Sequence, residues 1–291
     1  MREWMPALFG SKKHPKGPDW ASAREHHLDL AGTLFYFTVP AHTNSITPFQ
    51  PKPETYNLYA ASRYWKHADS IEPASSLENV FSIRWQFGSF WLKIGTLEFD
   101  ISINHNIAFG SLYKPEHFLS ALNQRLNYSV GPLSWEKKGQ HQVRKNWSVQ
   151  HLGQTTFAYY EKSGRLYTSR FWETPVSDEY HLILAFRKET YLDDADIRIN
   201  LDHAYDELID NIIASIRIEW STYPSALQAA AKLRWPGETL PATLPELVWS
   251  DEEWLAAESE KAAAEIEADR EYRELLKEFA AIQARNGDMP A

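Results

Sequence analysis

Alternating apolar and polar residues predict β-strands along much of the chain. The clearest alternation covers residues 81–103 and is interrupted near Gly88 and Gly95, where turns are expected. A period of two places the apolar side chains on one face, so we expect an antiparallel meander of three strands with one wet face. An earlier strand region covers residues 28–39.

A second set of strands is predicted at residues 156–160, 166–172 and 181–187, after a polar, turn-rich stretch at 129–146. The expected fold class is α+β. Antiparallel β-sheets would be built from the two strand sets, which could form a pseudo-repeat, and helices would pack on them. The pattern is compatible with one shared sheet or with two.

Apolar residues three and four positions apart predict helices between and after the strands. A short helix is expected at 115–127 and a longer one at 203–216, for which Asp202 is the expected N-cap. The stripe of Ala204, Leu208, Ile212 and Ile216 is wide enough to pack on a sheet.

The last predicted helix, residues 250–286, holds most of the formal charge of the chain, which is −9. From Asp251 to Glu278 there are eleven acidic and four basic residues, which leaves the rest of the chain close to neutral. Ser250 and Glu253 occupy the two positions of an N-terminal capping box. The acidic balance argues against nucleic-acid binding, which needs a basic face.

These elements divide the chain into five segments. Prolines around residues 236–249 indicate a linker before the tail helix. The predicted segments are an N-terminal arm (1–25), a first antiparallel sheet region with a helix (26–145), a second strand set with a packing helix (146–235), the proline-rich linker (236–249) and the acidic C-terminal helix (250–286).

Composition narrows the class of protein further. The chain has no cysteine, which excludes disulfide frameworks, thiolate zinc sites and thiol nucleophiles. The first residues lack the apolar run of a secretory signal, and no stretch is long and apolar enough to span a bilayer. A cytoplasmic location is therefore expected, without a membrane span.

The usual catalytic motifs are absent from the sequence. It contains no G-x-S-x-G elbow, no glycine-rich nucleotide loop and no H-E-x-x-H pair, so no catalytic residue, cofactor or metal ligand is predicted. The enzyme hypothesis that stays open uses His26, His27 and His105 with nearby carboxylates. His26 and His27 are neighbours on a predicted strand and should point to opposite faces, which weakens a shared site.

Two acidic and aromatic stretches are the candidate partner-binding surfaces. The acids that begin at residue 193 do not fit an EF-hand, because the positions for the obligatory glycine and glutamate hold other residues. Exposed tryptophan beside acidic residues suits a basic protein partner, since aromatic anchors and charge steering favour such interfaces. The predicted partner-binding residues are Asp193, Asp194, Asp196, Trp249, Glu252, Glu253 and Trp254.

The strands at 156–160, 165–175 and 181–186, closed by a helix that ends at 212–217, resemble the second half of Mog1/PsbP/DcrB-like α+β domains. The opening L-x-G-x-x-F-x-F-x-x-P over residues 30–40 is similar to strings in bacterial immunity proteins that neutralise type VI secretion toxins. The resemblance covers about half of the chain. It implies a non-enzymatic protein-binding function, with a basic toxin domain as one partner. A scaffold that assembles through the tail helix is a further alternative.

Overall fold

The computed structural model describes residues 15–41, 55–58, 75–89, 92–106, 108–134, 138–164, 167–192 and 194–287. Within these residues, a short 3-10 helix at Trp20–Ser22 precedes ten strands and four helices. The strands are β1 (Arg24–Leu30), β2 (Thr33–Val39), β3 (Thr55–Tyr56), β4 (Ser75–Ser89), β5 (Leu92–Asn106), β6 (Gln142–Leu152), β7 (Thr155–Ser163), β8 (Tyr167–Pro175), β9 (Tyr180–Thr190) and β10 (Arg217–Glu219). The helices are α1 (Pro115–Val130), α2 (Ala195–Ala214), α3 (Thr222–Arg234) and α4 (Asp251–Gly287).

Six strands form one large sheet in the order β4-β5-β9-β8-β7-β6, with every neighbouring pair antiparallel. The joint between the two predicted strand sets is the pairing of β5 with β9, from Gly95 opposite Thr190 to His105 opposite Tyr180. The two strand sets therefore share a single sheet, and the α+β class with antiparallel sheets is confirmed.

A small sheet has the order β10-β2-β1-β3. Strands β1 and β2 form an antiparallel hairpin, in which Ala31 and Gly32 have positive φ angles of 53° and 93°. Strand β10 pairs antiparallel with β2, and the two-residue β3 runs parallel to β1. Only a glycine adopts such angles without steric cost, so Gly32 suits this tight reversal.

The hydrophobic core joins one face of the large sheet to the small sheet and to α2. Phe99 stacks on Phe186 of the neighbouring strand at 4.4 Å between ring centroids, and Phe81 meets Phe37 of the small sheet edge-on at 4.7 Å. The predicted apolar stripe of α2 is confirmed, because Leu208 and Ile212 are buried in this core.

The predicted turn at Gly95 is wrong. Residues 92–106 form one continuous strand, so the expected meander of three strands is a hairpin of two long ones. Gly95 is required there for close packing rather than for a turn. The hydroxyl of Tyr205 on α2 donates a hydrogen bond of 2.7 Å to the carbonyl oxygen of Glu189 beside it, and any side chain at Gly95 would occupy the same space.

The predicted start of the second helix is also wrong. Helix α2 begins two turns earlier, and its N-cap is Asp194, whose carboxylate accepts hydrogen bonds from the backbone N–H groups of Asp196 (3.1 Å) and Ile197 (3.2 Å). Asp202 lies inside the helix, where its carboxylate is 3.4 Å from Lys188 Nζ. Asp194 and Asp202 are each followed by apolar residues at helical spacing, so the sequence pattern suits either as the N-cap. The helix that begins after Asp194 is the longer of the two and buries more apolar surface.

Strand β6 begins at Gln142, inside the stretch 129–146 that was expected to be polar and turn-rich, and the proline-rich segment lies along it. Trp147 Nε1 donates to the carbonyl oxygen of Pro241 at 2.8 Å, and Arg144 Nε donates to that of Pro245 at 3.1 Å. Leu247 N donates to Val143 O at 2.9 Å. Proline lacks a donor but keeps its carbonyl acceptor, so the segment accepts these bonds despite its prolines.

The chain divides into two compact units. The first comprises residues 1–125 and 141–247 and contains both sheets; the second comprises residues 126–140 and 248–291. In the second unit the predicted capping box is confirmed. Ser250 Oγ accepts from Glu253 N at 3.2 Å, and Glu253 Oε2 accepts from Ser250 N at 2.6 Å.

Substituting Gly95 with alanine should destabilise the large sheet. The new Cβ would lie 2.1 Å from Tyr205 Oη and 2.4 Å from the Glu189 carbonyl oxygen, and a backbone atom cannot rotate away. We expect a loss of about 3 kcal/mol in the free energy of unfolding, measured by urea denaturation.

Gly153→Ala is the matched control, because nothing lies within 4 Å of the added Cβ and the cost there comes from its φ of +61°. We expect that variant to lose about 1 kcal/mol. Equal losses for the two alanine variants would contradict the packing role of Gly95.

Candidate functional site

The described acidic residues at the start of α2 belong to its N-terminal cap and first turn. Asp193 lies outside the described residues. Asp194 uses its carboxylate as the N-cap of α2, so that oxygen is already engaged by the helix backbone. Asp196 is exposed in the first turn, where a carboxylate suits the positive end of the helix dipole. Both acids therefore have a local structural role.

The two candidate tryptophans pack on each other at the start of α4. The rings of Trp249 and Trp254 meet edge-on with centroids 6.4 Å apart, and both side chains are half-buried. Gly131 lies so close that a Cβ there would be 2.6 Å from the ring of Trp249. This arrangement orders the entry to the helix and leaves only part of each ring for a partner.

The acids around these tryptophans differ in their contacts. Glu253 is held in the capping box, while Glu252 is exposed. Asp251 forms an ion pair with Lys138, and Lys261 donates to the backbone carbonyl of Ser134. The start of α4 is thus fastened within its own unit, and Glu252 is exposed in the first turn, where a carboxylate suits the positive end of the helix dipole.

Exposed apolar side chains lie farther along α4, beyond the predicted positions. We call Tyr272, Leu275 and Leu276 the α4 apolar patch; their exposed fractions are 61%, 51% and 50%. Their spacing of three and four places them side by side on the helix. The sequence already contained this signal, because the same spacing continues to Phe279, whose side chain is outside the described ones.

The charges next to the α4 apolar patch are negative. Glu271 and Glu278 lie one turn before and one turn after Leu275 and are exposed. The basic residues of this part of the helix are paired with acids of the helix itself. Arg270 pairs with Glu267, Arg273 with Asp269 at 2.6 Å, and Lys277 with Glu274 at 2.7 Å.

The histidines of the enzyme hypothesis lie apart from one another. His26 stacks on Phe37 at 5.6 Å, whereas His27 is tilted against Tyr36 at 5.9 Å on the opposite face of the hairpin. Burial lowers the pKa of His26, and the nearby Arg24 lowers it further. His105 stacks on Tyr180 at 4.4 Å. Among the described residues, no group of three His, Cys, Asp or Glu side chains could hold a metal ion.

A buried polar cluster lies between α1 and the large sheet, and the sequence patterns did not indicate it. Its members are Arg125 of α1, Tyr160 of β7, Glu173 of β8 and His181 of β9. The carboxylate of Glu173 accepts hydrogen bonds from the guanidinium of Arg125 and from the Tyr160 hydroxyl at 2.5 Å. His181 Nε2 lies 3.2 Å from the other carboxylate oxygen. That contact does not meet the geometry of a hydrogen bond.

Glu173 is ionised in this interior. Burial alone would raise its pKa, but the charge of Arg125 together with the contacts of His181 and Tyr160 lowers the pKa to about 2. Burial also raises the pKa of Tyr160 well above its usual value, so the phenol stays neutral and donates. Glu173 and His181 are fully buried, which gives a substrate no access to them. The cluster is therefore a structural ion pair.

Comparison with known proteins does not place the chain in a family. No family model and no curated protein matches it. Among solved structures, a crystal structure of a Bacteroides thetaiotaomicron protein is similar at 13% identity and a TM-score of 0.24. The match covers 64% of this chain and 45% of that protein, so the chain matches less than half of that protein's length. A likeness at this TM-score carries no argument about fold or function.

In the described part of the chain, no helix has both the length and the apolar character that crossing a bilayer requires.

Replacing Glu173 with glutamine should destabilise the protein strongly at neutral pH. The charge of Arg125 would then be buried without its counter-ion, and breaking such a pair costs about 3–5 kcal/mol. The measurement is the free energy of unfolding at pH 7. Glu98→Gln is the control, because Glu98 and Arg84 form a partly exposed pair at 2.7 Å and its loss should cost below about 1 kcal/mol.

The cost of Glu173→Gln should depend on pH. The folded-state pKa of Glu173 is about 2 and lies below the ordinary value of 4.5, so ionised Glu173 stabilises the fold fully above that ordinary value. The stabilisation is lost as the pH falls toward 2. Unfolding measured from pH 7 to pH 2 should show the difference between wild type and variant narrowing below pH 4.5. A difference that stays constant would contradict an ionised Glu173.

Proposed function

We propose that the protein is a non-enzymatic protein-binding protein, and that it acts as a bacterial immunity protein that neutralises a secreted toxin. The observation that supports binding is the α4 apolar patch on an acidic helix. Single exposed apolar residues are common on protein surfaces, but three adjacent ones on a long helix are typical of an interaction site. The immunity role rests on the resemblance of the strand region and of the opening motif.

The charges define the chemistry of the partner. The basic residues Arg270, Arg273 and Lys277 are paired with other acids of the same helix. The negative charges of Glu271 and Glu278, beside the α4 apolar patch, are therefore left for a partner to neutralise. A surface that joins apolar side chains to lysine or arginine would complement this face. A basic toxin domain has that chemistry.

The two alternatives have different support. For an enzyme, His26, His27 and His105 would have to converge with carboxylates, and they lie on separate faces or strands. For an assembly scaffold, the α4 apolar patch would pair with a second copy of the chain. The spacing of Tyr272 and Leu275 suits such a coiled coil, so the oligomeric mass belongs in the test.

The test begins with affinity capture from the native cell. Wild-type protein should retain a basic protein in a stoichiometric amount, and the variant Tyr272→Ser/Leu275→Ser/Leu276→Ser should lose it, because the contact area is removed. The matched control is Glu267→Ser/Arg270→Ser/Arg273→Ser, which changes three exposed residues of the same helix outside the patch. This control should retain the partner.

Measurements on the captured protein distinguish the possible outcomes. Its affinity for the wild-type chain should fall as salt rises, since charge pairing contributes to the contact. Expressed alone it should arrest growth, and co-expression of the wild-type chain should restore growth. A retained partner without toxicity would remove the immunity role but keep protein binding. Capture of no partner, together with a mass in solution that the triple variant halves, would favour the scaffold instead.

A further inference from the structure

A cleft of about 500 Å³ lies at one end of the large sheet, within the first unit. Its lining comes from the ends of β6, β7 and β8, from the start of α1, and from α3 with the segment that follows it. The volume falls within the range that small-molecule sites occupy. Neither the proposed partner surface on α4 nor the buried ion pair of Glu173 contributes to this lining.

Two tryptophans in the lining are held in place by the protein itself. Trp220 donates its indole N–H to Thr155 Oγ1 at 3.3 Å, so it offers a ligand its ring rather than its donor. Trp235 ends α3, where its backbone N–H donates to Ala231 O at 2.8 Å and its ring lies edge-on to His117 at 6.3 Å. Both rings are half-buried. Ordered, partly exposed aromatic rings are suitable surfaces for stacking.

The polar side chains of the cleft can both donate and accept hydrogen bonds. Gln154 and Gln228 line it, and neither side chain is hydrogen-bonded to another residue in the described part of the chain. An amide carries two N–H donors and one oxygen acceptor. This combination matches the hydroxyl group, which also donates and accepts.

The charges of the lining nearly cancel. Lys232 and Glu238 have opposite signs and both are exposed. A phosphate or sulfate group would need several cationic donors, and among the described lining residues Lys232 is the one permanent cation. A purely apolar ligand would desolvate Gln154 and Gln228 without replacing their bonds to water, at about 1–3 kcal/mol for each amide.

We propose that this cleft binds a neutral saccharide, whose C–H face stacks on Trp220 or Trp235 and whose hydroxyl groups bond to Gln154 and Gln228. Glycoside hydrolysis uses a pair of carboxylates on either side of the scissile bond. In the described lining, Glu238 is the one carboxylate. The site therefore binds the sugar and does not cleave it.

The test exposes the full-length chain to an immobilised panel of neutral glycans, built from glucose, galactose, mannose and N-acetylglucosamine, beside sulfated and sialylated glycans. A neutral glycan should be retained. Calorimetric titration with that glycan in solution should show a loss of about tenfold or more in affinity for Trp235→Ala and for Gln228→Leu. Urea denaturation of each variant shows that it is folded.

Trp20→Ala is the control, because it removes a half-buried tryptophan that is not part of the cleft lining, and it should leave the affinity unchanged. Three results would overturn the proposal. They are retention of no neutral glycan, stronger retention of the sulfated or sialylated glycans, and an affinity that neither Trp235→Ala nor Gln228→Leu alters in folded protein. None of these results bears on the toxin-binding role of α4, which is tested separately.

Discussion

The pairing of β5 with β9 is the constraint on which the rest of the structure depends. It joins strands that are about eighty residues apart in the chain into one antiparallel sheet. A sheet of six strands has two wide faces, and both must be covered where they are apolar. The small sheet and α2 cover one face with aromatic and aliphatic side chains. On the other face, Arg125 of α1 reaches the buried carboxylate of Glu173.

The local elements were predictable because their information is local. The alternation in β4, the apolar stripe of α2 and the capping box of α4 depend on residues within a few positions of one another. Gly95 was misread because a glycine that marks a turn and a glycine that admits Tyr205 look identical in the sequence. Which of the two applies is decided by a helix about one hundred residues farther along the chain.

The sites were harder to predict than the elements, for the same reason. Glu173 and Phe171 lie on the same buried face of β8. A charged residue on such a face indicates an ion pair only when its counter-ion is known. That counter-ion, Arg125, comes from a helix that precedes the strand by almost fifty residues. On α4, the sequence prediction selected the start of the helix, where acids lie near tryptophans. There Glu253 caps the helix and Trp249 lies against Gly131.

The segment along β6 has a consequence for how the protein behaves at high concentration. The outer strand of a sheet presents unpaired N–H and C=O groups, on which a strand of another molecule can add. Here Leu247 pairs with Val143, and the side chains of Arg144 and Trp147 are bonded to carbonyl oxygens of the covering segment. These hydrogen bonds are made to backbone atoms of the segment and not to its side chains. The segment can thus vary in sequence while it still shields the first half of this edge from intermolecular β-pairing and aggregation.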